Sequence, residues 1–218
     1  GAVTGPFCED TVRNGFSRQL AKSSTRQTPI DTLMDLKNER PGIPPTAFIF
    51  HTSRCGSTLF SQLAAALPAT VVISEAPPVD QILRGGGSEE RRIELLQALL
   101  SALGQPRRGD ERHFFVKFDA WHTMDLLFVR RAFPKLPFVF LYREPAEVIA
   151  SQMRMPGIHM IPGMVDPSLL SLDLPGVLQL EREEHCARVL ALIYAAAVTH
   201  AKSSGLTLMN YDELPDAA

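Results

Sequence analysis

The clearest chemistry in the chain lies in His51-Thr52-Ser53-Arg54-Cys55-Gly56-Ser57-Thr58-Leu59. This stretch falls between an apolar run that reads as a strand, Ala47-Phe48-Ile49-Phe50, and a helix expected from Ser57 to Leu67. A helix N-terminus offers unsatisfied N–H groups and the positive end of the helix dipole, which together bind anions. Gly56 lets the backbone approach closely, Ser57 and Thr58 bring hydroxyls, and Arg54 brings a fixed charge in fork geometry. The phosphate loop of nucleotide hydrolases reads G-x-x-x-x-G-K-[ST]. With its second glycine aligned on Gly56, His51 stands at the first glycine and Ser57 at the lysine. The lysine that reaches the outer phosphates is missing and positive charge comes earlier, at Arg54. The loop therefore reads as a cradle for a shorter anionic chain, or, more plainly, as a well-capped helix start.

A second element is Phe140-Leu141-Tyr142-Arg143-Glu144-Pro145-Ala146-Glu147-Val148-Ile149-Ala150-Ser151. An arginine leaves the end of a buried strand, a helix starts at Pro145, and Ser151 follows eight residues after Arg143. In open α/β sheets ligands sit beyond the carboxyl ends of the strands, so Arg143 faces the same edge as the loop. Arg143 and Ser151 can clasp a second phosphate; the bland alternative pairs Arg143 with Glu144 or Glu147.

The two elements together resemble the phosphosulfate-binding and 3′-phosphate-binding elements of sulfotransferases that use 3′-phosphoadenosine 5′-phosphosulfate (PAPS). The resemblance spans Phe48 to Ser151 and, more weakly, Leu206 to Leu214. It implies a three-layer, P-loop-type fold with PAPS as co-substrate. By this likeness Arg54, Cys55, Gly56, Ser57 and Thr58 would hold the 5′-phosphosulfate, and Arg143 with Ser151 the 3′-phosphate. A sulfuryl donor bound by arginine needs no metal, and no His/Cys/carboxylate cluster has metal-ligand spacing.

Sulfuryl transfer needs a base for the acceptor and positive charge for the leaving group. Glu75 follows the second expected strand, in a position similar to the glutamate base of tyrosylprotein and Golgi-type sulfotransferases, and is the leading candidate. Asp119 and His122 follow the third strand in Lys117-Phe118-Asp119-Ala120-Trp121-His122 and stand in reserve. Cytosolic sulfotransferases carry a histidine two residues after a lysine there; this chain has Asp119 at that offset. Lys117 either touches the sulfuryl group or is an alternating polar strand residue.

The elements that must position these residues alternate. Expected strands cover Ala47–Phe50, Thr70–Ile73, Phe114–Phe118, Phe138–Tyr142 and Leu206–Met209. Expected helices cover Ser57–Leu67, Glu89–Leu103, Met124–Phe133, a segment from Pro145, and Glu181–Ser203. Buried apolar strands separated by helices predict an α/β fold, a central parallel sheet of about five strands flanked by helices. Residues 1–45, with a short helix near Thr28–Leu36, form an expected N-terminal arm packed on a domain of residues 46–218. The segment from Met155 to Gly176 lacks periodicity and reads as a lid, a binding loop or a partly disordered stretch.

Composition narrows the partners. The 218 residues carry 22 basic and 24 acidic side chains, a net charge of −2, and 7% aromatics. Neither balance favours nucleic acid or an anionic membrane. Cys8, Cys55 and Cys186 are too far apart for a disulfide framework, which suits a reducing compartment, and the cytoplasm is the expected location. The expected acceptor is a hydroxyl, or an amine, of a small molecule or peptide of unspecified type, and oligomeric state is not written in the sequence. Two other functions fit: an atypical small-molecule kinase, and a non-catalytic nucleotide-binding module.

Overall fold

The computed structural model describes residues 27–201 and 205–214. Its centre is a five-stranded, all-parallel sheet of β1 (Ala47–His51), β2 (Thr70–Ser74), β3 (His113–Lys117), β4 (Phe138–Tyr142) and β5 (Leu206–Asn210), in the order β2-β3-β1-β4-β5. The helices are α1 (Thr32–Glu39), α2 (Ser57–Ala66), α3 (Pro77–Arg84), α4 (Glu89–Leu103), α5 (Leu126–Ala132), α6 (Pro145–Arg154), α7 (Leu174–Leu178) and α8 (Arg182–His200). The chain is α/β, as expected, with helices flanking the sheet.

Strand side chains alternate between faces, so the two apolar clusters mark its two sides. Phe48, Phe50, Phe114, Val116, Phe138 and Phe140 belong to the larger cluster, which α3, α4, α5 and α8 cover. Ile49 and Leu141 point the other way, into a smaller cluster with Cys55, Phe60 of α2, and Tyr211 and Leu214 of the C-terminal turn. The larger side contains an aromatic stack: Phe50 and Phe118 lie parallel at 4.7 Å, and Phe48 meets Phe118 edge-on at 5.0 Å. Strands buried on both faces read as continuous apolar runs, which is why their sequences looked strand-like.

Several expectations shift in detail. The Ala-Pro-Pro stretch after Glu75 begins α3, because proline is tolerated in a first helical turn where its missing N–H has no partner. The helix expected over Met124–Phe133 starts earlier as a 3-10 segment, Ala120–Asp125, before becoming α5. The unpatterned stretch after Met155 contains two 3-10 turns, Ile158–Met160 and Pro167–Leu170, and α7. Of the expected N-terminal arm, residues 1–26 lie outside the described residues, while α1 packs against α4, with Lys37 Nζ donating to Gln97 at 3.0 Å. Among the described residues no helix is long and apolar enough to cross a membrane.

Connections leaving β1 run to one side of the sheet and those leaving β4 to the other, so the β1/β4 junction is a topological switch point, where ligand crevices form in such sheets. The aromatic stack beneath fixes the height of β1, whose end carries the loop. Phe50→Ala should cost about 3–5 kcal/mol, lowering the melting temperature by roughly 6–20 °C, measured by calorimetry; a change below about 1 kcal/mol would show that the stack does not anchor β1.

Candidate functional site

All five strands deliver residues to one cavity at their carboxyl ends. It measures about 460 Å³ and is lined by His51 and the loop after β1, Glu75 after β2, Asp119 and Trp121 after β3, Arg143 after β4 and Tyr211 after β5. Ser151 of α6 and the stretch Met155–His159 close its other wall. A volume of this size suits a small-molecule site.

The loop is wound tightly. Ser53, Arg54 and Gly56 have φ of 67°, 51° and 76°, a left-handed winding of the kind found in backbone nests for anions. Gly56 is required twice over: its φ is left-handed, and a Cβ there would lie 2.7 Å from Leu214 Cδ1 and 2.8 Å from the Tyr211 ring. His51 sits beneath this winding. Its Nδ1 accepts the Ser53 N–H at 2.9 Å, and its Nε2 lies 3.0 Å from the Phe118 carbonyl and 3.4 Å from Glu75 Oε1. Burial works against charge on His51, while Cys55 and Glu75 favour it. A proton on Nδ1 would nevertheless have to displace the Ser53 N–H, so the bonded geometry is that of the Nε2–H tautomer.

The two motifs read from the sequence meet in space: Arg54 Nε donates to Ser151 Oγ at 2.9 Å across 97 residues of chain. Ser57, Thr58 and Gly56 line the cavity as expected. Cys55 does not; its thiol is buried, donates to the Leu141 carbonyl at 3.3 Å and packs in the smaller core cluster, leaving only its backbone for a ligand. Arg143 is bonded to Glu147 and stands 4.4 Å from the centre of the Tyr211 ring. Its main-chain carbonyl accepts the Tyr194 hydroxyl. Ser151 thus pairs with Arg54 rather than with Arg143.

Opposite the arginines are two carboxylates in different environments. Glu75, at φ 52°, has its Oε1 2.8 Å from Nζ of Lys117, which is fully buried and does not line the cavity. Burial pushes the Glu75 carboxyl up, but His51 and Lys117 outweigh it and bring it down to about 2. Asp119 is pushed up to about 6 by burial, with Glu75 adding and His122 opposing. His122 is fully buried and away from the cavity. Its Nδ1 accepts the Asp119 N–H at 3.2 Å and its Nε2 meets Asp80 Oδ1 at 2.8 Å. It therefore positions Asp119 rather than facing a substrate.

Several residues of this site carried no clear signal in the sequence. Asp80 on α3 accepts the Trp121 indole N–H at 2.8 Å as well as holding His122. Gln152 is buried on α6, donates to Ser53 Oγ at 3.0 Å and accepts the Gly157 N–H at 2.7 Å, joining the loop to the opposite wall. His159 is buried 5.3 Å from the Trp121 ring, and burial brings its pKa down to about 4. Pro77-Pro78 could have marked the start of the helix that carries Asp80; the others act through contacts between distant segments.

No model of a known protein family matches the chain, and no curated protein matches it.

The Glu75 pKa sets a pH dependence. A carboxyl lowered from about 4.3 to about 2 adds stability that is fully present above the unfolded value and is lost as pH falls through the folded one. Chemical denaturation between pH 5 and pH 2 should show an acid loss on the order of 2–3 kcal/mol from this group, absent in Glu75→Gln. An equal acid slope in the variant would show that Glu75 is not the linked group.

Proposed function

We propose that the chain is a sulfotransferase that moves the sulfuryl group of PAPS to a hydroxyl. The observation that carries this reading is the contact of Arg54 with Ser151, which joins the wound loop and the β4–α6 element in a cavity whose far side holds carboxylates. Two arginines in separate places suit a donor with anionic groups at both ends. The absence of a lysine at Ser57 suits a 5′-phosphosulfate better than a triphosphate.

In this reaction the acceptor oxygen attacks sulfur as the bond from sulfur to the bridging phosphate oxygen breaks. The electron pair of that bond leaves with the phosphate, giving 3′-phosphoadenosine 5′-phosphate and a sulfate ester. Arg54 and the N–H groups of the loop stabilise the charge gathering on the leaving oxygens. The acceptor proton goes to a carboxylate, and the two candidates differ in basicity. Glu75, held near pKa 2 by His51 and Lys117, is a weak proton acceptor, whereas Asp119, near 6, is ionised and basic at neutral pH. The proposal accordingly gives the proton to Asp119 and gives Glu75 the role of neutralising Lys117 and ordering His51.

Two measurements test it. Calorimetric titration should show 3′-phosphoadenosine 5′-phosphate binding in preference to ATP with magnesium. Arg143→Ala should weaken it roughly 10- to 150-fold, the worth of one charged hydrogen bond. Preference for ATP would replace the proposal with a kinase. Asp119→Asn should lower kcat by about 100-fold or more while leaving nucleotide affinity in place, and the wild-type rate should rise with pH through about 6. If Glu75→Gln instead removes that limb and Asp119→Asn keeps it, the proton acceptor is Glu75.

A further inference from the structure

The cavity is electrically divided. Of the basic residues lining it, Arg54 and Arg143 belong to the loop side, held by Ser151 and by Glu147 with Tyr211, while His51 lies 3.4 Å from Glu75. The other side presents Glu75 and Asp119 beside Trp121, and the wall of Met155, Pro156 and Ile158 runs to it from Ser151, the partner of Arg54. This wall continues into a segment rich in exposed apolar side chains. Met155, Ile158, Ile161, Met164, Leu174 and Leu178 are each between 45% and 61% exposed, far more than a core would leave.

The same segment, residues 155–178, contains no lysine or arginine. Its two acidic residues are engaged as caps, Asp166 accepting the Ser168 N–H and Asp173 the Gly176 N–H. The flanking cations are Arg182, bonded to the carbonyls of Gln152 and Met153, and Arg154, which is exposed and does not line the cavity. An acidic acceptor would meet the Asp119 carboxylate, while the basic groups beside it, Lys117 and His51, are already turned to Glu75. Hydrocarbon would meet an indole, a thioether, a proline ring and an isoleucine.

We infer that the acceptor is an uncharged alcohol with a bulky apolar body, its hydroxyl toward Asp119 and its hydrocarbon on the wall of Trp121, Met155, Pro156 and Ile158. This inference rests on the sulfotransferase reading for its donor half. Apolar contact provides the binding, and like-charge exclusion by Asp119 provides the discrimination against acids. An anionic sugar or an acidic peptide is the acceptor class that this side rejects.

Trp121 is the single tryptophan of the chain, so its fluorescence reports on this wall. The experiment titrates 4-tert-butylcyclohexanol and trans-4-hydroxycyclohexanecarboxylate onto the full chain, with saturating 3′-phosphoadenosine 5′-phosphate and without it. The uncharged alcohol should change Trp121 emission at concentrations at least tenfold below those the carboxylate needs. Ile158→Lys should erase or reverse that ratio. Equal affinities, preference for the carboxylate, or no response to either compound would overturn the inference. A response of Trp121 to phosphatidylcholine vesicles alone would overturn it in favour of a bilayer surface. Calorimetry of the nucleotide separates the two failures: no nucleotide binding defeats the sulfotransferase reading, whereas nucleotide binding with the wrong alcohol preference defeats only the acceptor class.

Discussion

An ammonium group with no access to solvent must have a counter-charge, and the site is arranged around meeting that requirement. Lys117 ends β3 fully buried, and the carboxylate 2.8 Å away comes from Glu75. Reaching it takes Glu75 into a left-handed conformation while its N–H still bonds the Lys117 carbonyl. The Glu75 carboxylate then sits against His51, which in turn holds the Ser53 N–H and so the winding of the loop. One buried charge at the end of a neighbouring strand thus fixes the shape of the anion cradle. Removing either partner of such a pair leaves a desolvated charge behind, which is far costlier than losing a surface pair.

Strain is concentrated at the same place. Of the five non-glycine residues with positive φ among the described residues, Ser53, Arg54 and Glu75 line the cavity. Such conformations cost on the order of 1–3 kcal/mol each and persist only where their surroundings over-determine them. The surroundings here are explicit: His51 and Gln152 grip Ser53 from two sides, Ser151 grips Arg54, and Lys117 grips Glu75. The unusual backbone of the cavity is held in place by side chains.

Much of the architecture was legible in the sequence because each strand is a short apolar run between turns. Val139 and Phe140 read as buried whichever face they take, so the parallel sheet followed from pattern alone. The loop and the Arg143–Ser151 element were legible because local chemistry marks them. Partners across the cavity were not. The side chain of Ser151 meets Arg54, Asp80 meets Trp121 and His122, and Gln152 meets Ser53, each over 41 residues or more, and nothing in a short window encodes such pairings. Lys117 was ambiguous for the same reason: an alternating strand lysine and a buried counter-ion have the same one-letter surroundings.

The strand order carries a kinetic consequence. β1 lies in the middle of the sheet, yet its two neighbours come from more than sixty and about ninety residues further along the chain. During synthesis it emerges early and waits, with Phe48, Ile49 and Phe50 unpaired, until β3 and then β4 arrive. Pairing over such separations is slow, and an unpaired apolar strand is open to other chains in the interval. The anion cradle, attached to the end of β1, is consequently among the last features to mature. Yield on refolding will depend on dilution and on how long that central strand stays alone.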